Sequence, residues 1–139
     1  MTLPAQMRVG SVEVVLALAA FAVVAFRARA VPSGAEERAR QLLVMDVLER
    51  GRMRRVEAYT PVIVGRAVEA DLLVLDPLVS RRHASLEQEG DAIFVTDLQS
   101  SNGTFLNGHR IRESIELRRG DQIEIGAARI TLVDVHSWK

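Results

Sequence analysis

The order of apolar and polar positions divides the chain into three stretches of different character. From Val9 to Phe26 the only strongly polar side chains are Ser11 and Glu13, and Val14–Phe26 is unbroken. As a helix with 1.5 Å rise per residue, that stretch spans about 27 Å, near the thickness of a bilayer's hydrocarbon core. It predicts a transmembrane helix over about 9–26, inside an N-terminal segment 1–26. Residues 27–41 change abruptly: Val31-Pro32-Ser33-Gly34 is followed by a charged, Ala-rich run, the composition of a linker. From Leu42 onward apolar residues come in short groups: Leu42–Leu48, Arg55–Tyr59, Val62–Gly65, Ala84–Glu87, Ile93–Asp97, Thr104–Leu106, Ile115–Leu117, Gln122–Ile125 and Arg129–Val133. Turn signals separate them, among them Glu89-Gly90-Asp91, Asn102-Gly103 and Asn107-Gly108. No helical period is sustained there. Residues 42–139 therefore read as one all-β domain, a β-sandwich of two antiparallel sheets.

Two other readings compete for the first stretch. Ala28-Arg29-Ala30 has the form of a signal-peptidase site, which would make 9–26 the core of a cleaved signal. A short apolar helix can also belong to a soluble core. The flanks favour an anchor. Arg27, Arg29, Arg38 and Arg40 follow the span and only Arg8 precedes it, so the positive-inside rule places the β domain in the cytoplasm. The expected location is the cell membrane, single-pass.

Composition narrows the chemistry. A hydrophobic content of 48% with 26% charged residues suits a folded chain and not a disordered one. With no cysteine, disulfides, thiolate metal sites and cysteine nucleophiles are excluded. Positive and negative charges balance at 18 each, so no overall field favours nucleic acid as a partner.

Four clusters in the β domain carry polar groups worth weighing: Gly65-Arg66, Ser80-Arg81-Arg82-His83, Asp97 through Thr104, and Asn107-Gly108. Taken singly, each has an ordinary explanation as a solvated strand end, a surface loop or a tight turn. His83 has no second histidine or carboxylate at ligand spacing, which argues against a metal. A Ser80–His83–Asp97 hydrolase is disfavoured because no nucleophile elbow surrounds Ser80, and Ser80 and His83 share one loop. Taken together the clusters have a common logic. Arginines, short hydroxyls, Asn amides and glycine-freed N–H groups are the donors that a phosphate dianion needs. A sandwich gathers alternate loops at one end, where clusters distant in sequence can meet.

The order Gly-Arg, then Ser-Arg-x-His, then Asp-Leu-x-Ser-x-Asn-Gly-Thr-x-x-Asn-Gly resembles the signature of the forkhead-associated (FHA) domain, across roughly Leu42–Val133. Gly120–Gly126 is similar to the family as well. The resemblance implies a sandwich with recognition loops at one end, no enzymatic activity and no cofactor. It implies a phosphopeptide-binding set of Arg66, Ser80, Arg81, Ser101 and Asn102, with Arg66 and Ser80 on the phosphate and Asn102 on the peptide backbone. Gly65, His83, Gly103, Asn107 and Gly108 would support the site, His83 and Asn107 by holding the recognition loops through hydrogen bonds. Ser101 stands where threonine is commoner but keeps the hydroxyl. The implied partners are phosphothreonine proteins, either Ser/Thr kinases or their substrates, as in small bacterial proteins that join one membrane helix to one FHA domain. An FHA-fold scaffold that ignores phosphate is the alternative.

Overall fold

The computed structural model describes residues 40–137. The expected membrane helix over 9–26, nearly all of the 27–41 linker and the last two residues lie outside them.

Residues from Gln41 onward build eleven strands in two sheets. The first sheet contains β1 (Gln41–Glu49), β2 (Arg52–Tyr59), β7 (Thr104–Leu106), β8 (His109–Arg110), β10 (Gln122–Ile125) and β11 (Ala128–Ser137), in the order β2-β1-β11-β10-β7-β8. The second contains β3 (Val62–Gly65), β4 (Leu72–Leu73), β5 (Ala84–Glu89), β6 (Ala92–Asp97) and β9 (Ile115–Leu117), in the order β4-β3-β5-β6-β9. Every pairing described is antiparallel except β3 with β4.

Alternation explains why these segments become strands. Leu43, Met45 and Val47 of β1, Ile123 and Ile125 of β10, and Ala128, Ile130 and Leu132 of β11 turn one face inward. Val62, Val64, Ala84, Leu86, Ile93, Val95 and Leu117 meet them from the second sheet. Each large aliphatic side chain removed from water contributes about 1.5–3 kcal/mol, which makes this interlayer the main source of stability.

All nine expected strands are present, and two more join them. β4 is two leucines long and β8 is His109-Arg110, so neither offers a period to read. β2 begins three residues earlier than the pattern suggests, at Arg52. Its first half, Arg52-Met53-Arg54-Arg55, is exposed on both faces of an edge strand, so binary patterning is silent there.

The connections sort by end. Leaving β3, entering β5 and leaving β6 all occur at one end, where the β1–β2 hairpin and the β10–β11 turn also lie. At the other end are Gln41, Ser137, the β5–β6 turn, the β7–β8 turn and the β9–β10 turn.

Candidate functional site

Three loops meet at the first of these ends: residues 66–71 after β3, 74–83 before β5 and 98–103 before β7. The first two are zipped by backbone bonds. Arg66 N–H donates to the Ser80 carbonyl at 3.0 Å and Ala67 N–H to that of Arg81 at 3.1 Å. So close an approach admits only glycine at position 65, where a Cβ would stand 2.1 Å from the Arg81 oxygen.

His83 fastens the second loop to the third. It is fully buried; its Nδ1 accepts from Ser80 N–H at 3.0 Å, which leaves Nε2 to carry a proton to the Gly103 carbonyl at 2.9 Å. Gly103 itself needs a positive φ of 88° and sits against the Arg110 guanidinium. Two more bonds cross the same gap. Ser101 N–H donates to Ser80 Oγ at 3.1 Å, and Asn102 Nδ2 donates to the Leu78 carbonyl at 2.7 Å.

Arg66, Ser80, Ser101 and Asn102 are thus brought together. Arg66 spends its Nε on the Val79 carbonyl at 3.1 Å, a bond that aims the guanidinium and leaves its terminal nitrogens free. Ser80 Oγ accepts from Ser101, so its own hydrogen remains to be donated. Arg81 and Arg82 are exposed beside them, and no carboxylate among the described residues pairs with Arg66, Arg81 or Arg82. Chemically this is a cradle of donors for a tetrahedral anion.

Sequence reasoning gave no role in the site to four residues that shape the cradle, Asp76, Asp97, Ser100 and Thr104. Asp97 accepts from Ser100 Oγ at 2.6 Å, Thr104 Oγ1 at 2.7 Å and Ser100 N–H at 3.1 Å, while Ser100 Oγ also accepts from Gly103 N–H at 2.9 Å. Partial burial would raise the Asp97 pKa, but bonds from the Ser100 hydroxyl, the Thr104 hydroxyl and the Ser100 amide outweigh it and hold the carboxyl below its usual range. Asp76 accepts from Leu78 N–H at 2.9 Å and from Ala127 N–H at 2.8 Å, which lowers its pKa and ties the second loop to the β10–β11 turn. The signal was present in Asp76-Pro77 and in the Asp97-to-Ser100 spacing, both of which favour side-chain-to-backbone turns.

Two expected supports lie elsewhere. Asn107 and Gly108 form the β7–β8 turn at the opposite end, where Asn107 Nδ2 donates to Asp121 at 3.0 Å and its Oδ1 accepts from Gln122 N–H at 3.0 Å. Strand β7 carries the chain roughly 13 Å between Gly103 and Asn107 at about 3.3 Å per residue, so neither Asn107 nor Gly108 touches the three loops. Nor is a hydrolytic triad formed. Both His83 nitrogens are taken by backbone groups, and neither bonds Ser80 Oγ or Asp97. Among the described residues, no three His, Cys, Asp or Glu side chains gather to hold a metal ion.

The family model described as "FHA domain" matches residues 62–126, which include every residue of the cradle. This chain carries an FHA domain. A curated relative, FHA domain-containing protein FhaB of Mycolicibacterium smegmatis, is 35% identical over 94 residues, covering 68% of this chain and 60% of its own length. The matched part spans between 46% and 60% of the first curated relatives. Among solved structures, one from a structural and functional analysis of phosphothreonine-dependent FHA domain interactions superposes with a TM-score of 0.58 at 28% identity, covering 67% of this chain and 96% of that one. EmbR of Mycobacterium tuberculosis, in complex with a low-affinity phosphopeptide, gives 0.56 at 30% identity, covering 70% of this chain and 26% of EmbR. The FHA domain is an adaptor or regulatory module, and the cradle lies on the loops its sandwich gathers at one end.

Proposed function

We propose that this protein binds phosphothreonine-containing proteins through Arg66, Ser80, Arg81, Ser101 and Asn102, and that a helix over 9–26 holds it at the membrane with the FHA domain on the cytoplasmic side. The observation that carries the binding reading is the convergence of Arg66, Ser80, Ser101 and Asn102 beside arginines that no carboxylate among the described residues neutralises. A phosphate-blind surface has no physical need for that arrangement. Its partners are Ser/Thr kinases or their substrates, in keeping with the EmbR–phosphopeptide complex among its structural relatives.

The phosphate group alone does not separate threonine from serine; the γ-methyl does. Burying one methyl is worth about 0.8 kcal/mol, and threonine's stiffer χ1 limits the orientations lost on binding. A preference of several-fold for phosphothreonine is expected. Calorimetry on matched peptides carrying phosphothreonine, phosphoserine or unmodified threonine tests both claims. Equal affinity for the phosphorylated and unmodified threonine peptides would overturn the reading. The topology is checked separately by a C-terminal reporter active only in the cytoplasm, together with membrane fractionation.

A further inference from the structure

The recognition end has a second feature, supplied by the β1–β2 hairpin. Arg50, Arg52, Arg54 and Arg55 fall within six residues. Two of them latch the hairpin onto β4 and the loop that follows it: Arg50 Nη2 donates to the Leu75 carbonyl at 2.6 Å, and Arg54 Nη2 donates to the Leu73 carbonyl. Arg55 is held by Asp46 at 2.8 Å. The Arg52 side chain is exposed and bonds no group among the described residues. Between hairpin and loop runs a groove of roughly 500 Å³ lined by Glu49, Arg50, Arg52, Arg54 and Leu75. Three guanidinium groups face one carboxylate there, and Leu75, 55% exposed, gives the groove an apolar patch.

A single loop runs from this groove to the phosphate cradle. Along that loop the Leu75 carbonyl takes Arg50, the Leu78 carbonyl takes Asn102 and the Val79 carbonyl takes Arg66. From Leu75 to Ser80 the chain spans at most about 17 Å, at roughly 3.4 Å per residue. An extended peptide crosses the same distance in about five residues.

We propose that the groove is a second docking surface for the phosphorylated partner, taking a run of Asp or Glu centred about five residues from the phosphothreonine. The proposal rests on the phosphothreonine reading of the neighbouring cradle. Arg54 is also paired with Glu49 at 3.9 Å, whereas Arg50 spends one of its five donors on a carbonyl and keeps others for a carboxylate, and Arg52 keeps all of its own. The groove is concave and ends on the loop that leads to Ser80, a shape that admits a single chain. A bilayer surface is flat and does not follow a concave groove.

The test uses the full chain in non-ionic detergent. Its peptide core is selected by the wild-type protein from a degenerate phosphothreonine library, then given neutral flanks or a Glu run on either side. An acidic flank on one side should tighten binding about three- to tenfold at low salt, and the gain should fade as salt is raised. Arg52→Glu should abolish the gain and leave affinity for the neutral-flank phosphopeptide unchanged. Equal binding of neutral and acidic phosphopeptides overturns the docking surface while the phosphothreonine reading stands. If no phosphopeptide outbinds its unphosphorylated twin, that reading falls and this inference with it. If the acidic flank gives no gain and phosphatidylglycerol vesicles instead bind the wild type but not Arg52→Glu, the groove belongs to lipid and the proposal is overturned.

Discussion

The two ends of the sandwich are built with the same chemistry and left in opposite electrostatic states. At the far end Arg118 pairs with Glu116 at 3.3 Å and Arg119 with Asp134 at 2.7 Å, and Asn107 bridges two turns. Both of these arginines are paired within the domain. At the recognition end the clasping is denser, through His83, Ser80, Asn102, Asp97 and Asp76, yet Arg66, Arg81 and Arg82 meet no carboxylate among the described residues. The backbone there is over-braced and the charge is under-paired. Unpaired guanidinium groups on rigid loops lose little conformational freedom when an anion arrives, and that is the condition for tight anion binding.

Removing the central brace should have the largest effect. His83→Ala strands the part-buried Ser80 N–H and the buried Gly103 carbonyl and opens a cavity where a fully buried ring stood. A loss of about 3–5 kcal/mol is expected in denaturant unfolding, with phosphopeptide affinity falling as well. A loss below about 1 kcal/mol would mean the loops hold their shape without it.

Arg66→Ala should separate charge from scaffold. The domain should stay folded, since Arg66 is exposed and contributes one side-chain bond, to Val79. Binding to a phosphothreonine peptide should weaken by about 2–4 kcal/mol, roughly 30- to 1000-fold. Wild-type affinity in calorimetry would remove Arg66 from the site.

The contrast also shows which parts of the molecule were legible in the sequence. The strands with an alternating inward face were, because burying Leu43, Met45 and Val47 leaves a period of two in the letters. So was the chemistry of the recognition loops, because Arg66, Ser80, Ser101 and Asn102 are donor types with little other reason to be arranged together. Contacts between loops were not. That Gly65 lies against the Arg81 carbonyl, or that Asp76 reaches Ala127, depends on how two distant segments pack. Asn107 was misplaced for a related reason. It follows Asn102 closely in sequence, but a strand lies between them, and a strand converts sequence neighbours into opposite ends. β4 and β8 were invisible because two residues carry no period.

Asp97 gives the recognition end an acid sensitivity. Its folded pKa is depressed, so its contribution to stability is complete above the unfolded value near 3.8 and is lost as pH falls through the lower folded value. Stability at neutral pH should not depend on its titration, and an acid limb should appear below about pH 4. Asp97→Asn keeps the shape but sets an amide N–H₂ against a donor, Ser100 N–H or a hydroxyl. Because the group is only partly buried, a loss of about 1–2 kcal/mol at pH 7 is expected, together with a shallower acid limb. Denaturation curves at pH 7 and pH 3.5 read both, and an unchanged acid limb would assign the acid sensitivity to other carboxylates.

The smallest expected effect is the control that gives the comparison its meaning. Asn107 lies on the far end, so it should matter for stability and not for recognition. Asn107→Ala removes the bond to Asp121 and the bond from Gln122 N–H, and it places a residue less tolerant of positive φ where φ is 49°. The side chain is exposed, and water can replace both partners, so about 1–2 kcal/mol of stability should be lost. Phosphopeptide affinity should be unchanged, because the Gln122 carbonyl still accepts from residue 107's own N–H and β7 keeps its three-residue pairing with β10. Titrating the same phosphothreonine peptide into the wild type and Asn107→Ala, well below either melting temperature, decides the matter. A drop in affinity approaching that of Arg66→Ala would show that the turn is coupled to the recognition loops through β7, and the two ends would then have to be treated as one mechanical unit.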